Sequence, residues 1–266
     1  MGGRVRAFGV RVVMSHRYLV LRLDAPMVAF GDVMIDSLGP VRESPSVTAI
    51  SGLLANALGI NREETDRLSR LQDRLVLASR LDHGDARFTD FQTAQLNGND
   101  RGWTTSGTIQ ERAGGASTFN SPHIRWRDYD SDVSVTVVIR LRDALESPTL
   151  DSVAQAIQYP ARPLFLGRKC CLPSSPLFAG FVEAVDALRA FHQVPLRAPT
   201  RSRSRFGDDR KSGIVVTLPP EEACPDGFEI VTSTERRDWP AGVHAGLQRS
   251  YRGTVPRDAF ATSEPT

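Results

Sequence analysis

Apolar positions recur along this chain with two periods. Tyr18 to Leu23 (YLVLRL) is a near-continuous apolar run of strand length, closed by Asp24-Ala25-Pro26, where proline removes a ladder donor. Ile50, Leu53, Leu54, Ala57 and Leu58 then fall at the i, i+3, i+4, i+7, i+8 spacing of one helix face. Ser44-Pro45 supplies a cap and a first-turn proline for that helix, and Gly59 a stop. A second helix is expected from Asn61, with Glu64 three residues on in a capping-box pattern and Leu68 and Leu71 turned inward. Leu75 to Ser79 returns as a strand.

From Gly84 to Asp128 the periodicity collapses into a stretch rich in Gly, Thr, Asn, Gln and Arg. A loop of that length inside a folded domain points to function rather than filler. Regularity resumes with the β-branched strand Val133 to Leu141, a short helix around Leu150 to Gln158, a loop from Pro160 to Pro176 and a strand from Phe178 to Val185. The order predicts an α+β fold, a ferredoxin-like (RRM-like) βαββαβ sheet with helices on one face, leaving the other face and the insertion for a ligand. The expected divisions are an extension at 1–13, a palm at 14–83 and 129–195, an insertion at 84–128, and a C-terminal region at 196–266. That last region opens as a basic loop (Arg197, Arg201, Arg203, Arg205, Arg210, Lys211) and continues as a small β appendage with strands at Ile214 to Leu218 and Phe228 to Ser233. Its end, from Pro256, is expected to fray.

Composition changes this picture little. At 266 residues and 40% hydrophobic content the chain can bury a sizeable core. Lys+Arg 33 against Asp+Glu 31 leaves a formal charge of +2, so any nucleic-acid affinity must come from local clusters. Cys170, Cys171 and Cys224 form neither a Cys-x-x-Cys pair nor a disulfide framework, which fits a reducing cytoplasm. Arg11 breaks the apolar N-terminal run, so no signal peptide is read; Met14, directly before the first strand, marks residues 1–13 as a start-site extension. No apolar stretch is long enough to predict a membrane helix.

Candidate chemistry lies in loops. Gly167-Arg168-Lys169 offers backbone N–H groups and two cations on one turn, the elements of a phosphate nest. Ser51-Gly52 lies toward the N-terminus of the first helix, where the dipole favours a phosphate, with close helix–sheet packing as the alternative role of Gly52. On the insertion, Phe91, Gln92, Arg101, Trp103, Gln110, Arg112 and Arg125 interleave aromatic, amide and guanidinium groups, the set that single-stranded RNA binding uses. Trp126 and Tyr129 read as packing residues. His, Cys and carboxylates show no metal-ligand spacing, and phosphate-loop and nucleophile-elbow motifs are missing, so no cofactor or metal is expected.

Three blocks resemble the CasD family, the Cas-five subunits of type I-E Cascade within the RAMP superfamily. They are Leu23 to Ile60, with its Pro-Met-x-Ala-aromatic-Gly turn and Ser-Gly-Leu-Leu helix start; Ile124 to Leu141, where Trp126-Arg127-Asp128-Tyr129 leads into a strand; and Pro163 to Gly180 (PLFLGRKCCLPSSPLFAG). The resemblance implies a RAMP palm, a hairpin thumb inserted at 84–128, and capture of the 5′ handle of CRISPR RNA without catalysis. It implies as partners the backbone, large and crRNA-processing Cascade subunits, with target DNA met only through the complex. Many relatives carry a basic residue where Ile50 stands, and Arg42 on the preceding loop is a substitute for it. A Cas-five relative that cuts its own repeat RNA supplies the alternative, a metal-independent endoribonuclease. Of the five histidines, only His16 lies beside a Lys or Tyr, namely Tyr18.

Overall fold

Strand β1 (His16–Val28) is apolar on both faces. Leu19, Leu21 and Leu23 enter one core, whereas Tyr18 and Val20 enter a second core on the opposite face. A strand buried on both sides reads as a continuous apolar run instead of an alternating one. That property organises the chain around a central sheet with two covered faces. The computed structural model describes residues 15–95, 101–103, 108–110, 122–197 and 213–261. The expected 1–13 extension and residues 201–211 of the Arg-rich loop lie outside these.

The elements that follow are β2 (Leu38–Gly39), α1 (Val47–Ala57), α2 (Thr65–Arg74), β3 (Leu75–His83), β4 (Arg87–Ala94), the two-residue strands β5 (Gly102–Trp103) and β6 (Ile109–Gln110), and β7 (His123–Leu141). After them come α3 (Leu150–Gln158), β8 (Phe178–Ala184), α4 (Ala187–Gln193), β9 (Ile214–Leu218), β10 (Glu229–Asp238) and β11 (Val243–Val255). The main sheet runs β10-β11-β9-β3-β7-β1-β8, with β2 and β4 also paired to β7. All of these pairings are antiparallel except the short β2–β7 contact. The protein is therefore a mixed α and β fold built on a large antiparallel sheet.

Helix α1 begins two residues later than Ser44-Pro45 implied. Ser46 is the N-cap, its hydroxyl accepting from Ala49 N–H at 3.0 Å. Its end matches the expectation: Gly59 adopts φ +74°, Ile60 N–H reaches Ala55 O and Gly59 N–H reaches Asn56 O, satisfying two of the helix's last carbonyls. Helix α2 starts at Thr65, although the Glu64 carboxylate does reach back to Asn61 N–H at 2.6 Å. Helices α1, α2 and α3 cover one face of the sheet through Ile50, Leu53, Leu54, Leu68, Leu71, Val153 and Ile157.

The second face is not left for a ligand. Helix α4, which no periodicity announced, lays Ala187, Ala190 and Phe191 on it, beside Ile214, Val216 and Leu218 of β9 and Phe260 from the C-terminal segment. Tyr18, Val20, Ala78 and Val138 point this way and would otherwise face water, which explains the cover. The C-terminal strands are likewise no separate appendage. Strand β9 pairs with β3 through Ser79 and Arg80, β11 pairs with β9, and β10 runs to Asp238, so three strands extend the main sheet. Residues 257–261 are docked, with Phe260 buried and Ala261 O accepting from Leu196 N–H at 2.9 Å.

A buried ionic network pins this second layer. Asp82 accepts from Arg80 (2.6 and 3.2 Å), Arg22 (2.8 Å), Thr136 (2.8 Å) and the Arg197 N–H (3.1 Å). Arg80 also donates to Phe191 O at 2.8 Å and Val194 O at 2.9 Å, carbonyls at the end of α4. Replacing Asp82 with Ala strands two guanidinium groups inside the fold. Loss of one partner from such a buried set costs about 3–5 kcal/mol, whereas Thr136→Val, which deletes one hydroxyl, is expected to cost about 1–3 kcal/mol. Urea unfolding followed by far-UV circular dichroism checks both the size and the order.

Candidate nucleic-acid interface

Strand β7 is 19 residues long, and only its second half belongs to the central packing. Its first half pairs with β4 from Ala94–His123 down to Arg87–Asp130, so the stretch from Gly84 that looked aperiodic begins and ends as a two-stranded ribbon. The period was hidden because the ribbon is exposed on both faces and polar residues occupy most positions. Directly opposed residues share a face. Phe88–Tyr129, Asp90–Arg127 and Gln92–Arg125 lie on one, and Thr89–Asp128 and Phe91–Trp126 on the other.

This register separates residues that the sequence grouped together. Phe91 meets Trp126 with ring centroids 5.4 Å apart, both rings partly exposed, so Trp126 is an aromatic surface as well as a packing residue. Gln92 is occupied by Asp90, to which its Nε2 donates at 2.5 Å. Arg125 spends one N–H on Ile124 O at 2.9 Å. Arg101 is exposed. Trp103 and Gln110 lie on β5 and β6, which pair as Gly102–Gln110 and Trp103–Ile109. Arg112 lies outside the described residues.

The remaining candidates surround a cleft of about 1080 Å³ between the β1–α1 connection, helix α1, the loop at 163–176 and the β10–β11 pair. Arg42, Gly52, Gly167 and Arg168 all line it. Gly52 faces open space, with nothing within 4 Å of where a Cβ would stand, so close helix–sheet packing is not its role. Ser51 is turned away from the cleft: it is buried, and its hydroxyl donates to Val47 O at 2.8 Å. Arg42 is engaged by carboxylates on two sides, with Asp32 at 2.7 and 3.0 Å and Glu235 at 2.6 Å.

Gly167 is required by its surroundings. It has φ +98°, and an added Cβ would lie 1.8 Å from Ala29 O, because Ala29 N–H donates to Leu166 O at 3.0 Å and holds the two segments together. Among the described residues no acceptor takes the Gly167 or Lys169 N–H, whereas the Arg168 N–H is turned to the Cys171 thiol; Lys169 is exposed without an ion-pair partner. Arg168, in contrast, is committed to the fold. Its guanidinium donates to Asp128 O at 2.7 Å and Gly39 O at 3.0 Å and lies 4.6 Å from the centroid of the Tyr129 ring. It therefore joins the loop to β2 and to the root of the β4–β7 ribbon.

The family model described as "CRISPR-associated protein (Cas_Cas5)" matches residues 18–251. The chain belongs to this family. It is 30% identical over 182 residues to the "CRISPR system Cascade subunit CasD" of Escherichia coli (strain K12), covering 65% of this chain and 75% of the relative. Two solved structures share the fold at 20% identity: a chain of a "CRISPR RNA-guided surveillance complex" (TM-score 0.61, covering 92% of this chain and 93% of that one) and one described as "Crystal structure of Cas protein" (TM-score 0.60, 93% and 100%).

Two cationic residues of this family member escaped the sequence reading. Arg62 and Arg237 line the cleft, and among the described residues neither has an ion-pair partner. Arg237 donates to Gly242 O at 2.8 Å, and partial burial together with the neighbouring charge of Arg62 lowers its pKa. Nothing local in Thr234-Glu235-Arg236-Arg237 distinguishes the residue that faces the cleft, since β10 folds onto α1 only through distant contacts. In this family member, Gly167→Ala is expected to destabilise by more than about 2 kcal/mol, the range of large steric and backbone-strain effects. Arg168→Lys, which retains charge but loses the planar fork, is expected to loosen the ribbon root. Amide hydrogen exchange at residues 126–130 checks the second, and a urea titration the first.

Proposed function

We propose that this chain is a non-catalytic RNA-gripping subunit of a type I-E Cascade, holding the 5′ handle of the guide RNA in CRISPR antiviral defence in the cytoplasm. In this reading the strand order β3-β7-β1-β8, with α1 and α3 crossing between strands, is a ferredoxin-like RAMP palm. The β4–β7 ribbon with β5 and β6 beyond it is the thumb. Backbone, large and crRNA-processing subunits are the partners, and target DNA is met through the guide, since in such complexes base pairing reads sequence while protein reads backbone and shape.

One observation carries the proposal. Gly167 and Arg168 border the same cleft as Gly52, Arg62 and Arg237, the exposed Lys169 follows them on the turn with its N–H and that of Gly167 free, and Arg168 ties that turn to the root of the ribbon bearing Arg125 and the Phe91–Trp126 pair. Phosphate ligands and base-stacking surfaces thus form one tract. Arg168 becomes a positioning residue here, and Lys169, Arg62, Arg237, Arg125 and Arg101 are the free cations. The endoribonuclease alternative gains no support from its one candidate pair. Tyr18 is buried, its O–H donates to Glu222 at 3.1 Å, and burial first and Glu222 second push its ionisation upward, so His16 has no accessible acid beside it. Among the described residues no helix is long and apolar enough to cross a membrane.

With about five phosphates neutralised on a single strand, log affinity for repeat-derived 5′-handle RNA should fall against log salt with a slope near −3.5. Lys169→Ala is expected to weaken binding and reduce that slope by about 0.7. Fluorescence anisotropy across a salt series reads both quantities. A flat response, or discrete cleavage of the RNA in EDTA, would overturn the proposal.

A further inference from the structure

Glu235 occupies the place beside Arg42 that an RNA phosphate would take. Strands β10 and β11 stay in register to Thr234–Leu247, shift before Arg236–Gly246, and shift again before Arg237–His244. Glu235 falls between these irregularities without a ladder partner, and a bulge of this kind re-aims a side chain. Its Oε2 accepts from Arg42 Nη1 at 2.6 Å, and the carboxylate also accepts from the N–H of Val47, the first residue of α1. Its main-chain carbonyl accepts from Thr48 Oγ1, and two residues on, the strand is held by Gln72, whose Nε2 donates to Arg237 O at 3.0 Å.

The charge balance argues that this carboxylate is more than a helix cap. Asp32 already holds Arg42 through two N–H groups, so Glu235 adds a second negative charge against one guanidinium. The site therefore repels phosphate while Glu235 is seated. Burial pushes the Glu235 carboxyl upward against the opposing pull of Arg42, so the ionised form is expensive there. Fixings of β10 and β11 to the helical side are largely polar, with Arg236 on Asp73 and Arg252 on Glu43, and Trp239 packs against the core. Exposed ion pairs of this sort are weak and yield to competing charge.

We infer that Glu235 is an internal counter-anion that withholds Arg42 and the first turn of α1 from RNA in the isolated subunit, and that a backbone phosphate of the RNA displaces it on binding. This rests on the RNA-gripping role proposed above. Arg42, engaged on two sides in the free chain, then becomes a phosphate ligand only after the β10 bulge has moved.

The test is anisotropy of labelled repeat-derived RNA on the full chain carrying Glu235→Gln, Arg42→Ala, or both. Glu235→Gln is expected to tighten binding about tenfold, the worth of one charge-assisted contact, and to steepen the salt slope by about 0.7. Arg42→Ala should abolish that gain. Should Glu235→Gln lower the melting temperature, Glu235→Asp, which keeps the charge but shortens the reach, is expected to give a smaller gain of the same sign. No gain from either variant, in a wild-type chain that binds RNA with a steep salt slope, overturns the counter-anion role alone. Absence of salt-dependent binding in every variant removes the RNA grip and this inference together.

Discussion

The buried pairing of Arg80 with Asp82 is the constraint on which the architecture turns. Both groups are fully enclosed, and five segments converge on them: β1 through Arg22, β7 through Thr136, the end of α4 through the Phe191 and Val194 carbonyls, Pro195 through its carbonyl, and the start of the Arg-rich loop through Arg197 N–H. A pair of this kind adds little net stability over an apolar alternative, because desolvation offsets the Coulomb attraction. Its geometry is nevertheless demanding, since each donor and acceptor must be met inside the fold. The second face of the sheet is thereby closed in one arrangement. The RNA tract proposed for this family member therefore lies on the loops and ribbon at the margin of the sheet rather than on its face.

That displacement divides the arginines into two groups. Arg22, Arg42, Arg74, Arg80, Arg162 and Arg168 are spent on carbonyls and carboxylates of the chain itself. Arg162 shows the pattern well, donating to Gly59 O, Ile60 O and Asn61 where helix α1 ends and its carbonyls lack partners. Arg62 and Arg237 instead keep their charge on the cleft, and Lys169 stands exposed on the turn beside it. A planar fork with five donors suits both tasks, so residue type alone does not separate them. With Lys+Arg 33 against Asp+Glu 31 the whole chain is nearly neutral, so the field at the cleft is set by these local groups.

How far the sequence could be read depended on burial. Helix α1 was legible because Ile50, Leu53 and Leu54 face one core at helical spacing, and β1 and the second half of β7 because their apolar runs are buried on both sides. The same runs also implied a second covering layer: Tyr18 and Val20 alternate with Leu19 and Leu21, and a one-sided sheet has no use for both sets. Helix α4 was missed because seven residues carry barely two turns of period. The periodicity did not show the ribbon, where only the family resemblance implied a hairpin, because its exposed faces impose no alternation; β11 was missed because its inward positions are mostly polar.

The site was legible to a different degree. Gly167 could be singled out, since a glycine inside an apolar loop signals a backbone that must approach another closely, and Ala29 is what it approaches. Its neighbour Arg168 looked like a phosphate ligand for the reason that makes it a good structural bridge: two carbonyls, Gly39 O and Asp128 O, present acceptors in the plane of one guanidinium. The contacts that decided between these roles span 129 and 40 residues of sequence, so no local pattern could have reported them. A free cation and an internally bound one differ only in what the rest of the chain brings to them. For a surface built at the margin of a closed sheet, the fold must therefore be known before the residues that can meet a ligand are named.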